Sequence, residues 1–172
     1  MELRGNTVVL RDFRASDRLL FVEAVGDPAM WRYTKMRMNR DAVDQAMAYL
    51  LREPTIQQPR RTFNLVVQTD EVEFAGWAAL GGMTDDGSAE IGWYLQPAQW
   101  GKGYATEATH LLLQFGFERL DRTRIIATSD PENVAAHRVL EKAGLRREAD
   151  DLTVDTWRGP RPRYVYAISY ET

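Results

Sequence analysis

The sequence predicts an α+β fold, with a mixed, mostly antiparallel sheet flanked by helices and one domain spanning residues 1–172. Three observations carry that expectation. Extended segments at 62–68, 74–80 and 89–95 follow one another, separated by the turn-rich stretches TDEVE and GGMTDDGS, the pattern of an antiparallel meander. Helical periodicity flanks this meander and does not interrupt it. A further apolar segment, RIIATS at 124–129, lies between two helical stretches, giving the order β-α-α-β-β-β-α-β-α-β-β.

Taken in order, Val8 and Val9 sit in a first short strand. Ser16 is placed to cap a helix through Leu19, Leu20, Val22 and Val25, which Gly26-Asp27-Pro28 ends. A second helix begins after Asn39. Its Val43, Ala46, Met47 and Leu50 follow i, i+3, i+4, i+7 spacing, and Pro54 stops it ahead of the loop PTIQQPRR. The three meander strands follow, and Pro97 closes the last. The next helix carries an apolar stripe of Ala108, Leu111, Leu112 and Phe115. After RIIATS, Asp130-Pro131 reads as a helix start, with Ala136, Val139, Leu140 and Ala143 inward and Gly144 as the stop. RYVYAISY alternates as a closing strand, with Tyr164, Tyr166, Ile168 and Tyr170 on one side, so these tyrosines read first as sheet packing.

Composition narrows the function. The 172 residues are 44% hydrophobic and 27% charged, the balance of an ordinary globular protein with enough chain for a sizeable core. The net charge of −3 argues against a nucleic-acid partner, which calls for a basic surface. With no cysteine, the chain has no disulfide, thiolate metal site or cysteine nucleophile. The start MELRGNTVVL lacks a signal-peptide core and no run reaches spanning length, so the expectation is a cytoplasmic protein without a membrane partner.

The chemistry concentrates in QWGKGYATEA, residues 99–108. A Walker A loop would need glycine at 96, where Gln96 stands, and Ser or Thr after Lys102, where Gly103 stands. A dinucleotide fingerprint would need glycine at 106, where Thr106 stands. What remains is Gly101-x-Gly103-x-Ala105, small residues at alternate positions where a helix opens. Such a turn leaves backbone N–H groups and the positive helix end facing an anion. The same residues also suit a tight strand-to-helix turn.

AEIGWYLQPAQWGKGYATEA, followed after a strand by NVAAHRVLEKAGL, resembles the GNAT superfamily of acetyl-CoA-dependent N-acetyltransferases, and within it the Rim-type branch of ribosomal-protein-alanine acetyltransferases. The resemblance runs from residue 7 to the end of the chain. The family turn Q/R-x-x-G-x-G/A maps onto Trp100-Gly101-Lys102-Gly103-Tyr104-Ala105, departing only at Trp100. It implies a GNAT-like sheet that splays between the fourth and fifth strands. It implies acetyl-CoA as co-substrate and no metal. The amides of 101–106 would hold the coenzyme A pyrophosphate, the backbone of Tyr94 and Leu95 the pantetheine, and Asn133 and Arg138 would also meet the cofactor.

Transfer from a thioester to an amine needs a base, a donor for the oxyanion and an outlet for the thiolate. A backbone N–H near Leu95 would serve the oxyanion. Glu90 is the candidate base, since strand alternation puts Glu90, Gly92 and Tyr94 on one face and relatives use a glutamate on this strand; the alternative is an exposed carboxylate or a charge pair. The leaving-group acid departs from the family. Leu140 stands where many members have Tyr, and Ala136 where Rim-type enzymes commonly have Ser. A thiol of pKa about 8.5 leaves tolerably without help, so turnover slows rather than stops. Either no side-chain acid is used, or water, Tyr104 or a His137 shuttle substitutes, although a lone helical histidine is more often structural.

Weak acid–base machinery favours an acceptor that is already partly neutral. At pH 7 an α-amine is roughly 10% neutral and a lysine amine about 0.04%. The expected acceptor is therefore a primary amine at a protein or peptide N-terminus, with small-molecule amines or a non-catalytic acyl-CoA-binding module as alternatives. Family specificity lies in PAMWRYTKMRMN, where Trp31 and Tyr33 would wall the acceptor pocket, and in READDLTVDTWRGPRP. Glu148, Asp150, Asp151 and Asp155 there form an acidic cluster for a cationic acceptor or a solvated hairpin face. The protein is expected to be a monomer or homodimer.

Overall fold

The computed structural model describes residues 1–172 apart from 36, 40, 41, 53, 54, 56, 57, 149, 150, 171 and 172. The chain opens with a hairpin of β1 (Glu2–Arg4) and β2 (Val8–Asp12), in which Leu3 faces Leu10. Helix α1 (Arg18–Gly26), a 3-10 turn at Pro28–Trp31 and α2 (Val43–Leu50) follow. The meander is β3 (Phe63–Thr69), β4 (Gly76–Gly81) and β5 (Ser88–Leu95). Then come α3 (Tyr104–Leu120), β6 (Arg124–Ser129), α4 (Val134–Lys142), β7 (Arg146–Arg147), β8 (Leu152–Thr156) and β9 (Gly159–Ser169).

The sheet order is β1-β2-β3-β4-β5-β6-β9-β7, with β8 paired to β9. Every pairing is antiparallel except β5–β6. That parallel register runs from Ser88–Arg124 to Glu90–Ile126 and stops there, while β5 continues to Leu95 and β6 to Ser129. This is the expected splay, renumbered by one additional N-terminal strand, β1. Among the described residues no helix is long and apolar enough to cross a membrane.

Strand alternation divides the core in two. Leu65, Val67, Ala78, Leu80, Ala89 and Ile91 pack on one face with Leu112, Phe115 and Leu140. Val66 and Trp77 point to the other, where Phe21, Ala24, Val25, Met30, Trp31, Val43 and Met47 cover them. Glu90, Gly92 and Tyr94 alternate with Ala89 and Ile91, so Glu90 faces the side that carries the 28–31 turn.

Several local expectations are corrected. Ser16 does not cap α1. The Asp17 carboxylate instead accepts the Arg14 amide at 2.7 Å and both terminal nitrogens of Arg11 at 2.8 Å, a pair buried beneath the helix start. Leu19 is 70% exposed, and Phe21, Ala24 and Val25 form the inner face of α1 in its place. Helix α2 starts at Val43, four residues after Asn39, whose side chain accepts the Ala42 amide at 2.8 Å just ahead of the helix, and the Pro54 stop lies outside the described residues. Helix α4 starts three residues after Asp130-Pro131. Asn133 is its cap, accepting the Ala136 amide at 3.2 Å, while Asp130 Oδ1 accepts the Glu132 amide at 2.9 Å. The closing region holds three strands where two were expected, and Tyr170 stands exposed beyond them against Phe117.

Candidate active site

The splay opens a cavity of about 670 Å³, within the range that holds a cofactor-sized ligand. Its walls are β5 from Glu90 to Leu95, β6 at Ala127–Ser129, the start of α3 and one side of α4, with Ala29, Met30, Tyr33–Lys35 and Arg163 opposite. The other hollow of note, near Asp12 and Arg60, is about 100 Å³ and too small for such a ligand.

At the α3 end, Gly101 and Gly103 have φ of 76° and 88°. These left-handed values suit glycine, and a Cβ at either position would enter open space. The backbone is therefore bare on the cavity side just where α3 presents the free N–H groups of Tyr104, Ala105 and Thr106. The Trp100 indole donates to the Leu95 carbonyl at 2.7 Å, tying this turn to the unpaired end of β5. Glu107 anchors the same helix by accepting the Asn6 and Thr7 amides and the Thr7 hydroxyl.

The Lys102 side chain turns away from the cavity. Its ammonium lies 2.6 Å from Glu71 Oε2, so any part it plays in the cradle is through its backbone. Asn133 lines the cavity while capping α4, and Arg138 lies exposed along the rim. Lys142, one turn further along α4 on the same rim, was not foreseen in the sequence.

The Glu90 carboxylate is 38% exposed and accepts from Lys35 Nζ at 2.6 Å and Thr128 Oγ1 at 3.1 Å. Gly92 keeps the surface between Glu90 and Tyr94 clear, since a Cβ there would meet nothing within 4 Å. The Tyr94 ring stacks on Trp77 at 4.9 Å, and burial pushes its hydroxyl above the usual value of 10.0, which holds it protonated. Ala136 and Leu140 both line the cavity, so neither family acid position offers a hydroxyl. The His137 shuttle is excluded by position. Its ring stacks on Tyr166 and its Nε2 lies 3.0 Å from the Asp130 carbonyl, outside the cavity lining.

Of the two expected acceptor-side aromatics, Tyr33 lines the cavity and Trp31 does not. Trp31 is 4% exposed, donates to the Val25 carbonyl at 2.8 Å and packs behind Tyr94 and Trp77, so it supports the wall from the core. Lys35, Thr128 and Arg163 complete this side and escaped sequence reasoning. Arg163 is 5% exposed and donates to the Tyr33 carbonyl at 2.7 Å and the Thr128 carbonyl at 3.3 Å. Nothing local marks it, because β9 meets both partners only in the folded chain. The acidic cluster is partly neutralised: Glu148 pairs with Arg124 at 2.5 Å and Asp151 with Arg147 at 3.1 Å. Asp155 stays exposed on β8, and Asp150 lies outside the described residues.

A splayed parallel pair with a glycine-lined helix entrance and a carboxylate in one cleft is the arrangement that the resemblance to acetyl-CoA-dependent acyltransferases led us to expect. Residues 7–146 match the acetyltransferase (GNAT) domain, and the chain belongs to that family, whose members take their acetyl group from acetyl-CoA. It is 30% identical over 145 residues to the uncharacterized N-acetyltransferase p20 of Bacillus licheniformis, covering 82% of this chain and 80% of that one. It is 49% identical over 59 residues to the uncharacterized N-acetyltransferase YnaD of Bacillus subtilis, where the match spans 34% of this chain and 35% of the relative. The fold superposes on Mycobacterium smegmatis RimJ in complex with CoA-disulfide with a TM-score of 0.83, at 26% identity, covering 98% of this chain and 86% of that one. That neighbour's name agrees with the Rim-type branch the motifs resemble.

Proposed function

We propose that this N-acetyltransferase acts on the α-amine at a protein or peptide N-terminus, with Glu90 as base. The observation that carries the reading is the bare backbone at Gly101 and Gly103 opening onto the same cavity as Glu90. Left-handed glycines at a helix N-terminus, with open space where a Cβ would stand, fit a pyrophosphate. The amides of 101–106, the β5 backbone at Tyr94 and Leu95, Asn133 and Arg138 would then hold acetyl-CoA, with Tyr33 beside the acceptor.

When bound, acetyl-CoA supplies an activated acyl group whose thiolate leaves readily. The acceptor amine gives a proton to Glu90, directly or through water, and its lone pair then attacks the thioester carbonyl. A backbone N–H on the unpaired edge of β5 near Leu95 steadies the developing oxyanion. With Ala136 and Leu140 apolar, the carbon–sulfur bond breaks with its electron pair on sulfur without a side-chain acid, and the nitrogen's second proton reaches that sulfur through water. Because this machinery is sparse, holding the two reactants in one cleft supplies much of the acceleration. An amine already partly neutral at pH 7 suits such a site, which supports the α-amine over a lysine or polyamine.

Thiol release from acetyl-CoA across a panel of peptides, aminoglycosides, polyamines and amino acids tests the reading. The expected result is the highest kcat/KM on peptide α-amines. A preference for a small amine would move the substrate class and keep the chemistry. Coenzyme A binding with no turnover on any amine would mark a binding module.

A further inference from the structure

Lys35 sets a primary amine against the candidate base. Its Nζ lies 2.6 Å from Glu90 Oε1, inside the cavity, with the side chain 32% exposed. Its segment is not a free arm. The Trp31 carbonyl accepts from the Trp157 indole at 3.2 Å, the Tyr33 carbonyl from Arg163 at 2.7 Å, and the Lys35 carbonyl from the Trp157 amide at 3.0 Å. The β8–β9 hairpin thus presents this amine to the carboxylate.

The chain has three lysines, at 35, 102 and 142. Lys102 is paired with Glu71 outside the cavity, and Lys142 lies at the exposed rim with no carboxylate partner among the described residues. Lys35 alone joins a primary amine to the candidate base.

We propose that Lys35 is a self-acetylation site, modified by the protein's own acetyl-CoA when no external acceptor is present. The inference rests on the reading of Glu90 as base. The Lys35 ammonium gives one proton to Glu90, which passes it to solvent. The freed lone pair forms a bond to the acetyl carbonyl carbon, and the carbon–sulfur bond breaks with its electron pair on sulfur. The nitrogen's second proton goes to the thiolate, leaving N-acetyl-Lys35, coenzyme A thiol and one proton in solution. An amine attacks only in its neutral form, so labelling quickens as pH rises. The product amide has no charge, so the ion pair with Glu90 is lost.

The test is incubation of the whole protein with acetyl-CoA and no acceptor, followed by intact mass and peptide mapping. The expected result is one acetyl group, mapped to Lys35, blocked by excess free coenzyme A and absent in Lys35→Arg. In Glu90→Gln the labelling rate should fall by about 100-fold, the low end of what losing a general base costs. Labelling spread over all three lysines, labelling that excess coenzyme A leaves unchanged, or none at Lys35 in a sample that acetylates an external amine would each overturn the inference while the proposed function stands. A protein that neither binds coenzyme A, by calorimetry, nor releases thiol with any amine overturns both.

Discussion

Arg163 joins Tyr33, 130 positions away in the chain, through a hydrogen bond of 2.7 Å from its guanidinium to the tyrosine carbonyl. The same side chain reaches the Thr128 carbonyl at 3.3 Å, so one buried cation ties the 31–35 segment, β6 and β9 together beside Glu90. Burial pushes the guanidinium's pKa below its ordinary value, against the opposing pull of Asp130, Tyr94 and Glu90. A charge-assisted hydrogen bond of this kind contributes about 1.5–3 kcal/mol. Arg163→Met should therefore release the acceptor wall, raising acceptor KM about tenfold or more and lowering the melting temperature. Coenzyme A affinity should change much less. Steady-state kinetics with calorimetric titration separates the two effects, and an equal loss of both would contradict this placement.

At the other end of the cavity, Gly103→Val combines a β-branched side chain with φ of 88° and puts bulk into the space facing α3. The expected result is coenzyme A affinity reduced at least about tenfold with the far-ultraviolet circular dichroism largely kept, since the strain is local and on the order of 1–2 kcal/mol. Gly103→Ala should fall between. Wild-type affinity in the valine variant would mean that the pyrophosphate lies elsewhere.

Removing the base should separate chemistry from binding. Glu90→Gln keeps the shape and the contact with Thr128 and lowers kcat by about 10²–10⁴-fold, leaving coenzyme A affinity unchanged. If kcat stays close to wild type, Glu90 is only the partner of a charge pair.

Acid stability should report on the Arg11–Asp17 pair, whose side chains are 3% and 4% exposed. Burial alone would raise the Asp17 pKa, but the two Arg11 hydrogen bonds and the Arg14 amide outweigh it and hold the carboxyl below its ordinary 3.8. The unfolded chain then takes up the proton first. The pair's contribution is complete above pH 3.8 and disappears as pH falls through the lower folded value. Asp17→Asn should cost about 3–5 kcal/mol near neutrality, because Arg11 is left buried without a counter-charge. Its stability should also decline less steeply below pH 3.8 than the wild type. Urea melts across the acid range measure both, and parallel curves would contradict the assignment.

The strands from Phe63 to Leu95, β6, and the apolar stripes of α2 and α3 were legible because each follows from spacing within one segment. Caps were less so. Ser16 and Asp130 have the right chemistry for helix starts, yet Asp17 and Asn133 hold the backbone, because a buried Arg11 recruits the one and the other adjoins the helix's first free amides. In the site, the glycine turn and Glu90 could be picked out from the chain, whereas Trp31 was assigned to the cavity wall and lies behind it.

Motifs along the chain were sufficient for the family by resemblance, for the fold class and for locating the glycine turn, because glycines at a helix start and alternation along a strand are properties of neighbouring residues. Whether an aromatic lines a cavity or supports it, and which cation meets Glu90, depended on bringing the 31–35 segment onto the β8–β9 hairpin. Those contacts form across more than a hundred residues through backbone carbonyls, and a carbonyl leaves no mark on the residue type that carries it. The glycine turn is legible in the chain; Lys35 and Arg163, which line the same cavity, became visible only once the chain had folded.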